Sequence, residues 1–143
     1  MSDSTKNTFY LKVESKSANL RFIREYVLHK AKSAGFVHED LDKIELSVDE
    51  ACSNVVKHAF IDGEKHFIEI KVKYNSKAFV VIVSDKGRGF DPSQLPQTDM
   101  KAYLERYQVG GLGIHLMKSL MDVVEYRINP GKKNQVILVK YIK

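Results

Sequence analysis

Apolar and polar residues alternate in ways that predict both helices and strands in the first half of the chain. The segment TFYLKVE, Thr8–Glu14, alternates with a period of two residues, which is typical of a half-buried strand. Ser17–Ala34 and His38–Phe60 carry apolar residues every three or four positions, which predicts two amphipathic helices. Ser17 can cap the first helix, and Gly35 can end it. The apolar stripe of the longer helix is formed by Leu41, Ile44, Val48, Cys52, Val55 and Ala59.

The second half of the chain predicts further strands, one helix and a long irregular segment. The run AFVVIVSD, Ala78–Asp85, is apolar up to its last two residues, as expected of a central strand that is covered on both faces. Residues 86–109 carry glycines and prolines, and an irregular segment of this length is typical of a functional lid. The other predicted elements are strands at 66–74, 123–129 and 134–142 and a helix at 112–121.

The order of these elements is βααββ–lid–αββ, which predicts one domain over residues 1–143. Helices would cover one face of a mixed, mostly antiparallel sheet, so the expected fold is an α/β two-layer sandwich. A length of 143 residues suits a single sizeable core. The sequence has no internal repeat and no low-complexity tract.

Composition and charge narrow the class of protein. Hydrophobic residues make up 43% and charged residues 29%, as in ordinary globular proteins. The net charge of +5 allows an anionic ligand, an acidic partner or nucleic acid, but the lysines are spread along the chain, so nucleic acid ranks last. The lone Cys52 predicts a reducing, cytoplasmic compartment. No secretory signal is expected at the N-terminus, and no apolar run approaches the ~18 residues of a membrane span.

The longer helix carries a first group of polar residues that could support chemistry. Glu50 and Asn54 are one helical turn apart, so their side chains are neighbours, and His58 continues the same line. A glutamate can act as a general base, and an amide oxygen is a ligand that Mg²⁺ accepts. A solvated helix face with ordinary polar residues is the alternative for this motif taken alone.

A second group follows the central strand, where Asp85 is succeeded by Gly87 and Gly89. A carboxylate at this place can accept a hydrogen bond from an exocyclic amine such as that of adenine. Glycines without a Cβ allow the backbone to approach a flat ring. A glycine-rich turn, in which backbone amides satisfy the aspartate, explains the same pattern.

The third group is GGLGIHLM, in which Gly110, Gly111, Leu112 and Gly113 lead into a helix. The free N–H groups and the positive end of the helix dipole favour an anion there. The segment is neither a Walker A loop nor a Rossmann fingerprint, because neither the following residues nor the preceding element fits. A helix start that needs a tight turn is the alternative.

The order of these motifs resembles the N, G1 and G2 boxes of the GHKL, or Bergerat-fold, ATPases. The order is a helix with Glu50-x-x-x-Asn54, a strand end with Asp85-x-Gly87-x-Gly89, a lid and a glycine-rich helix start. The resemblance covers nearly the whole chain. The segments SVDEACSNVVKHAF and GGLGIHLMKSLMDVVEY are similar to the small anti-sigma-factor serine/threonine kinases of the partner-switching type. A Bergerat-type ATP-binding fold is therefore expected.

The resemblance implies a role for each candidate residue. Glu50 would be the general base, and Arg24 would stabilise charge on the transferring phosphoryl group. Asn54 would ligate Mg²⁺, and Asp85 would bind the adenine amine of ATP. In these ATPases the last strand often carries a threonine or serine near the adenine, and here Gln135 is the polar candidate. The further cofactor-binding residues that the resemblance implies are Gly87, Gly89, Arg106, Gly110, Gly111, Leu112 and Gly113.

The implied function is that of a Mg·ATP-dependent kinase. It would bind an output protein such as a sigma factor and phosphorylate a STAS-domain antagonist, and a homodimer is expected. A nucleotide-gated module that sequesters its partner without phosphorylating anything is the alternative.

Overall fold

The computed structural model describes residues 7–59, 65–86, 113–129 and 132–142. A short 3-10 turn at Ser17–Asn19 precedes α1, and a π-helical turn at Val55–Ala59 follows α2. The helices and strands are β1 Thr8–Glu14, α1 Leu20–Ala34, α2 His38–Asn54, β2 Phe67–Tyr74, β3 Ala78–Asp85, α3 Gly113–Leu120, β4 Val123–Arg127 and β5 Asn134–Tyr141. This is the order of elements that the sequence predicts.

The described strands form one sheet in the order β1-β2-β3-β5-β4, and each pair of neighbours is antiparallel. The central strand is β3, as its apolar sequence predicts. Its register with β5 sets Phe79 opposite Lys140 at one end and Asp85 opposite Asn134 at the other. Because side chains alternate between the faces of a strand, these four residues share one face with the rest of the core.

The helices bury that face of the sheet. α1 and α2 pack against each other and against the sheet, and α3 packs on α2. Each fully buried aliphatic side chain stabilises the fold by about 1.5–3 kcal/mol. The fully or almost fully buried residues include Ile23 and Val27 of α1, Ile44, Val48 and Cys52 of α2, and Ile68, Ile70, Val72, Val81 and Leu138 of the sheet.

The outer face of the sheet, opposite the helices, differs from what the sequence of β3 predicts. The apolar run of β3 predicts cover on both faces, but only alternate residues such as Phe79 and Val81 are buried against the helices. Val80 and Ile82 point to the outer face and are partly exposed. The described helices lie on one side only, so the layers are two, as the fold class predicts.

The ends of the helices differ in how closely the sequence predicts them. Gly35 ends α1 in the left-handed region, with φ of 109°, and its N–H donates to the carbonyls of Ala31 and Lys32. The longer helix is regular only to Asn54 and then widens into the π-helical turn, short of the predicted end at Phe60. Val55, in that turn, is still 4% exposed, so the apolar stripe continues through it. Among the described residues, no helix combines the length and apolar character that a membrane crossing requires.

Candidate functional site

The site begins at the end of β3, where Asp85 is buried to 7% exposure. The Nδ2 of Asn134, on the neighbouring strand, donates a hydrogen bond to Asp85 Oδ1 at 3.1 Å. Asn134 Oδ1 accepts the backbone N–H of Asn129 at 2.9 Å. A buried carboxylate needs donors of this kind, because its desolvation is otherwise costly. A cavity of about 210 Å³ touches Asp85, but Lys12, Phe67 and Glu69 line it from the outer face of the sheet, so it is not the space between Asp85 and the helices.

Asn134 is the residue that the sequence interpretation missed. Gln135 was the polar candidate of the last strand, but it points to the outer face, where its Nε2 donates to Ser84 Oγ at 3.3 Å. That expectation is wrong because side chains alternate along β5, and the register pairs Asp85 with Asn134. Counting the alternation back from the buried Leu138 through Val136 would have placed Asn134 on the core face.

The position of α2 on the sheet leads us to infer that Asn54 lies towards the same end of the molecule as Asp85. Lys140 Nζ is 3.9 Å from Asp40 in the first turn of α2, which fixes the start of α2 over the far end of β5. The strand from Lys140 back to Asn134 spans roughly 20 Å, and the helix from Asp40 to Asn54 spans roughly 21 Å. Because these lengths agree, a helix that runs alongside β5 ends near the level of Asn134. Asn54 is 4% exposed, and Glu50, one turn earlier, is partly buried.

The start of α3 points towards the same end. Asp122, just after α3, lies 3.9 Å from Lys140, so α3 runs from Gly113 towards the Lys140 end of the sheet. The N–H groups at its first turn therefore face the Asp85 end. Of the glycine-rich segment at 110–113, the described residues include Gly113 alone.

Arg24 lies on α1 beside α2, with its guanidinium engaged by two carboxylates. Its Nη1 donates to Asp49 Oδ1 at 2.7 Å, and its Nε is 3.8 Å from Glu45 Oε2. The hydrogen bond to Asp49 raises the pKa of Arg24, with smaller contributions from the surrounding negative charges. Asp49 precedes Glu50 in sequence, so Arg24 is held near the candidate base but is bonded to its neighbour.

Several predicted site residues lie outside the described residues, as does nearly all of the lid at 86–109. Within the described parts of the chain, no group of three or more histidine, cysteine, aspartate or glutamate side chains is arranged to hold a metal. The predicted residues that the structure does not describe are Gly87, Gly89, Arg106, Gly110, Gly111 and Leu112.

Comparison with known families identifies the group to which this arrangement belongs. The model of the histidine kinase-like ATPase domain matches residues 13–140. The chain belongs to the histidine kinase-like ATPase family. This membership confirms the resemblance to GHKL ATPases, and the family's use of ATP applies to the chain.

Relatives within this family are serine-protein kinases. The RsbW serine-protein kinase of Bacillus pumilus is 33% identical over 136 residues, covering 90% of this chain and 83% of the relative. The RsbW serine-protein kinase of Bacillus subtilis is 30% identical over 137 residues, covering 92% and 84%. These relatives confirm the predicted enzyme class, a serine/threonine protein kinase.

A solved structure confirms the fold alone. The RsbU and RsbW domains of Rv1364c from Mycobacterium tuberculosis match with a TM-score of 0.67 at 14% identity. The match covers 93% of this chain and 32% of that chain, so the chain spans about a third of the solved protein. The α/β two-layer fold of the histidine kinase-like ATPase family is therefore shared.

Proposed function

We propose that the chain is a Mg·ATP-dependent anti-sigma-factor kinase that phosphorylates a serine or threonine of a STAS-domain antagonist. The observation that carries the proposal is a relationship to RsbW serine-protein kinases that spans more than four fifths of their length. The chain would bind an output protein such as a sigma factor and would release it when the antagonist is unphosphorylated. A cytoplasmic location, a single domain over residues 1–143 and the absence of nucleic-acid binding stay predictions.

The nucleotide would bind at the Asp85 end of the sheet. The carboxylate of Asp85, at 7% exposure, is placed to accept the exocyclic amine of adenine. The first turn of α3, beginning at Gly113, faces the same end and offers N–H groups to the phosphates. Gly87, Gly89, Arg106, Gly110, Gly111 and Leu112 are proposed to complete the cofactor site.

Asn54 fits a magnesium ion shared with the ATP phosphates. Its amide oxygen is a hard ligand, and its side chain is 4% exposed at the end of α2. Sites of this class use one or two protein ligands, with substrate phosphates and waters providing the rest, so a cluster of carboxylates is not required. When bound, Mg²⁺ neutralises charge on the phosphates during transfer.

Glu50 and Arg24 would serve the transfer itself. The hydroxyl oxygen of the partner attacks the γ-phosphorus, the bond from that phosphorus to the ADP oxygen breaks, and Glu50 takes the hydroxyl proton. Arg24 would have to leave its hydrogen bond with Asp49 to reach the phosphoryl group, or act through that contact. Positioning and charge stabilisation account for most of the rate in such reactions.

A homodimer is proposed on the outer face of the sheet. The register aligns Val80, Val139 and Val123 in one row and Ile82 with Ile137 in the next. Lys71, Lys73 and Glu125 continue these rows on the same face, so an apolar strip with a charged rim faces away from the described helices, and we propose that it packs against the same face of a second copy. Sedimentation equilibrium tests this: a wild-type monomer at tens of micromolar would contradict the dimer.

Phosphoryl transfer separates the kinase from a sequestering module. Wild type, Glu50→Gln and the control Glu39→Gln are incubated with labelled ATP and a STAS-domain protein of the same genome. We expect Glu50→Gln to slow transfer by about 10²–10⁴-fold while ATP still binds, because a general base is lost. Glu39, exposed in the first turn of the same helix, should be replaceable without effect. Wild type that binds ATP but transfers nothing would favour sequestration.

A further inference from the structure

The side-chain amide of Asn134 links two parts of the molecule that are distant in sequence. Its Oδ1 accepts the backbone N–H of Asn129, two residues after β4, at 2.9 Å. Its Nδ2 donates to Asp85 Oδ1, at the end of β3, at 3.1 Å. We propose that Asn134 is a positioning residue for nucleotide recognition, which holds the Asp85 carboxylate in the orientation that accepts the amine of a purine. This inference rests on the proposed function of Asp85.

The backbone fixes which end of the Asn134 amide faces Asp85. A backbone N–H can only donate, so the atom that it meets must be the amide oxygen. The amide nitrogen is therefore directed at Asp85, and this nitrogen can only donate. Asp85 Oδ1 is consequently held as an acceptor.

Burial makes this hydrogen bond important for orientation. Asp85 is 7% exposed, so turning its carboxylate away from Asn134 would give up a bond that water replaces poorly. A carboxylate held as an acceptor matches a 6-amino purine, which presents a donor. A 6-oxo purine would present an oxygen to the same carboxylate, so the pair also disfavours guanine and hypoxanthine nucleotides.

The β4–β5 turn thereby takes part in base recognition. Asn129 and Asn134 bracket this turn, and the bond between them fixes the amide. The Asn129 N–H thus orients the amide that donates to Asp85 at the end of β3. Neither residue needs to touch the nucleotide for this effect.

Asn134→Asp gives a test with a distinctive pH profile. At residue 134 one carboxyl oxygen can still accept the Asn129 N–H, but the other now faces Asp85. Two adjacent carboxylates share a proton at low pH, because the pKa of one of them is strongly raised. We expect ATP to bind about tenfold more weakly than to wild type at pH 8 and to recover towards wild-type affinity at pH 5.5. Gln135→Glu is the matched control, with the same charge change on the outer face, and should bind ATP as wild type does.

Calorimetry measures the affinity of each variant for ATP and for ITP, and thermal unfolding verifies that each variant is folded. The positioning role would be overturned if Asn134→Asp bound ATP as tightly as wild type at pH 8. It would also be overturned if the affinity of Asn134→Asp for ATP, weakened at pH 8, did not recover at pH 5.5. If Asn134→Asp does not fold, Asn134→Ser carries the test, and its preference for ATP over ITP should fall; an unchanged preference overturns the proposal. Asp85→Asn separates the two claims: if it binds ATP normally, the proposed site itself is wrong.

Discussion

The two ends of the core face of the sheet both bury a charged side chain, but they surround it differently. At one end the side chain of Lys140 is 11% exposed, and its Nζ lies 3.9 Å from carboxylate oxygens of both Asp40 and Asp122. At the other end Asp85 is 7% exposed and accepts a hydrogen bond from the neutral amide of Asn134.

The contrast distinguishes an ion-pair cluster formed by Lys140, Asp40 and Asp122 from the proposed nucleotide site at Asp85. Carboxylates from α2 and from the turn after α3 compensate the Lys140 ammonium, so the chain completes this end itself. The Asn134 amide that donates to Asp85 is neutral and does not itself neutralise the carboxylate, and we propose that Asp85 also meets a donor of the nucleotide. Changes at the first end should therefore act on folding, and changes at the second on nucleotide binding.

The largest stability effect is expected at the Lys140 end. The double variant Asp40→Asn/Asp122→Asn removes both negative charges but keeps the shape of the side chains, including an oxygen that can accept the Tyr141 N–H. The free energy of unfolding should fall by about 2–3 kcal/mol, because a buried ammonium is left uncompensated. Urea denaturation measures this, and ATP affinity of the folded protein should be unchanged.

Adding Lys140→Met to the double variant is the control. It removes the uncompensated charge and fills a similar volume, so most of the lost stability should return. Two results would contradict a folding role for the Lys140 end: Asp40→Asn/Asp122→Asn as stable as wild type, or the same variant folded but unable to bind ATP.

A smaller effect is expected for Asn54→Ala, at the end of α2 where the nucleotide is proposed to bind. ATP affinity in the presence of Mg²⁺ should fall about tenfold, because the proposed ligand of the ion is lost. Affinity measured in EDTA should stay near the wild-type value, which serves as the internal control. Equal losses with and without Mg²⁺ would assign Asn54 to packing instead.

The smallest stability effect is expected for Arg24→Gln, because its ion pairs are half exposed. The side chains of Arg24 and Asp49 are 31% and 39% exposed. Their loss should lower the free energy of unfolding by less than about 1 kcal/mol, and 1 M salt should reduce the difference further. A larger, salt-independent loss in urea denaturation would show that this pair resembles the Lys140 cluster.

Local patterns in the sequence predict the elements well and the polar pairings poorly. The alternation and apolar runs predict β1 and the whole of Ala78–Asp85, because these signals depend on neighbouring residues. Asp85 stands out because it ends an apolar strand. Its partner Asn134 does not, because the pairing depends on the register of two strands that are far apart in sequence.

The Lys140 cluster shows the same limit. A lysine in the last strand is expected at the surface, and only its register opposite the buried Phe79 places it on the core face. Its partners come from the first turn of α2 and from the turn after α3, which no local pattern connects. Neither the Asp85–Asn134 pair nor the Lys140 ion pairs could therefore be predicted from local sequence patterns.

The role of Asp85 is best tested by calorimetry of ATP binding with Mg²⁺ to wild type and Asp85→Asn, together with urea denaturation of both proteins. We expect Asp85→Asn to weaken ATP binding by about 30–100-fold, which corresponds to the loss of a hydrogen bond to a charged group, and to change the free energy of unfolding by less than about 1 kcal/mol. Unchanged ATP affinity, or a loss of stability large enough to explain the loss of binding, would contradict a recognition role for this end of the sheet.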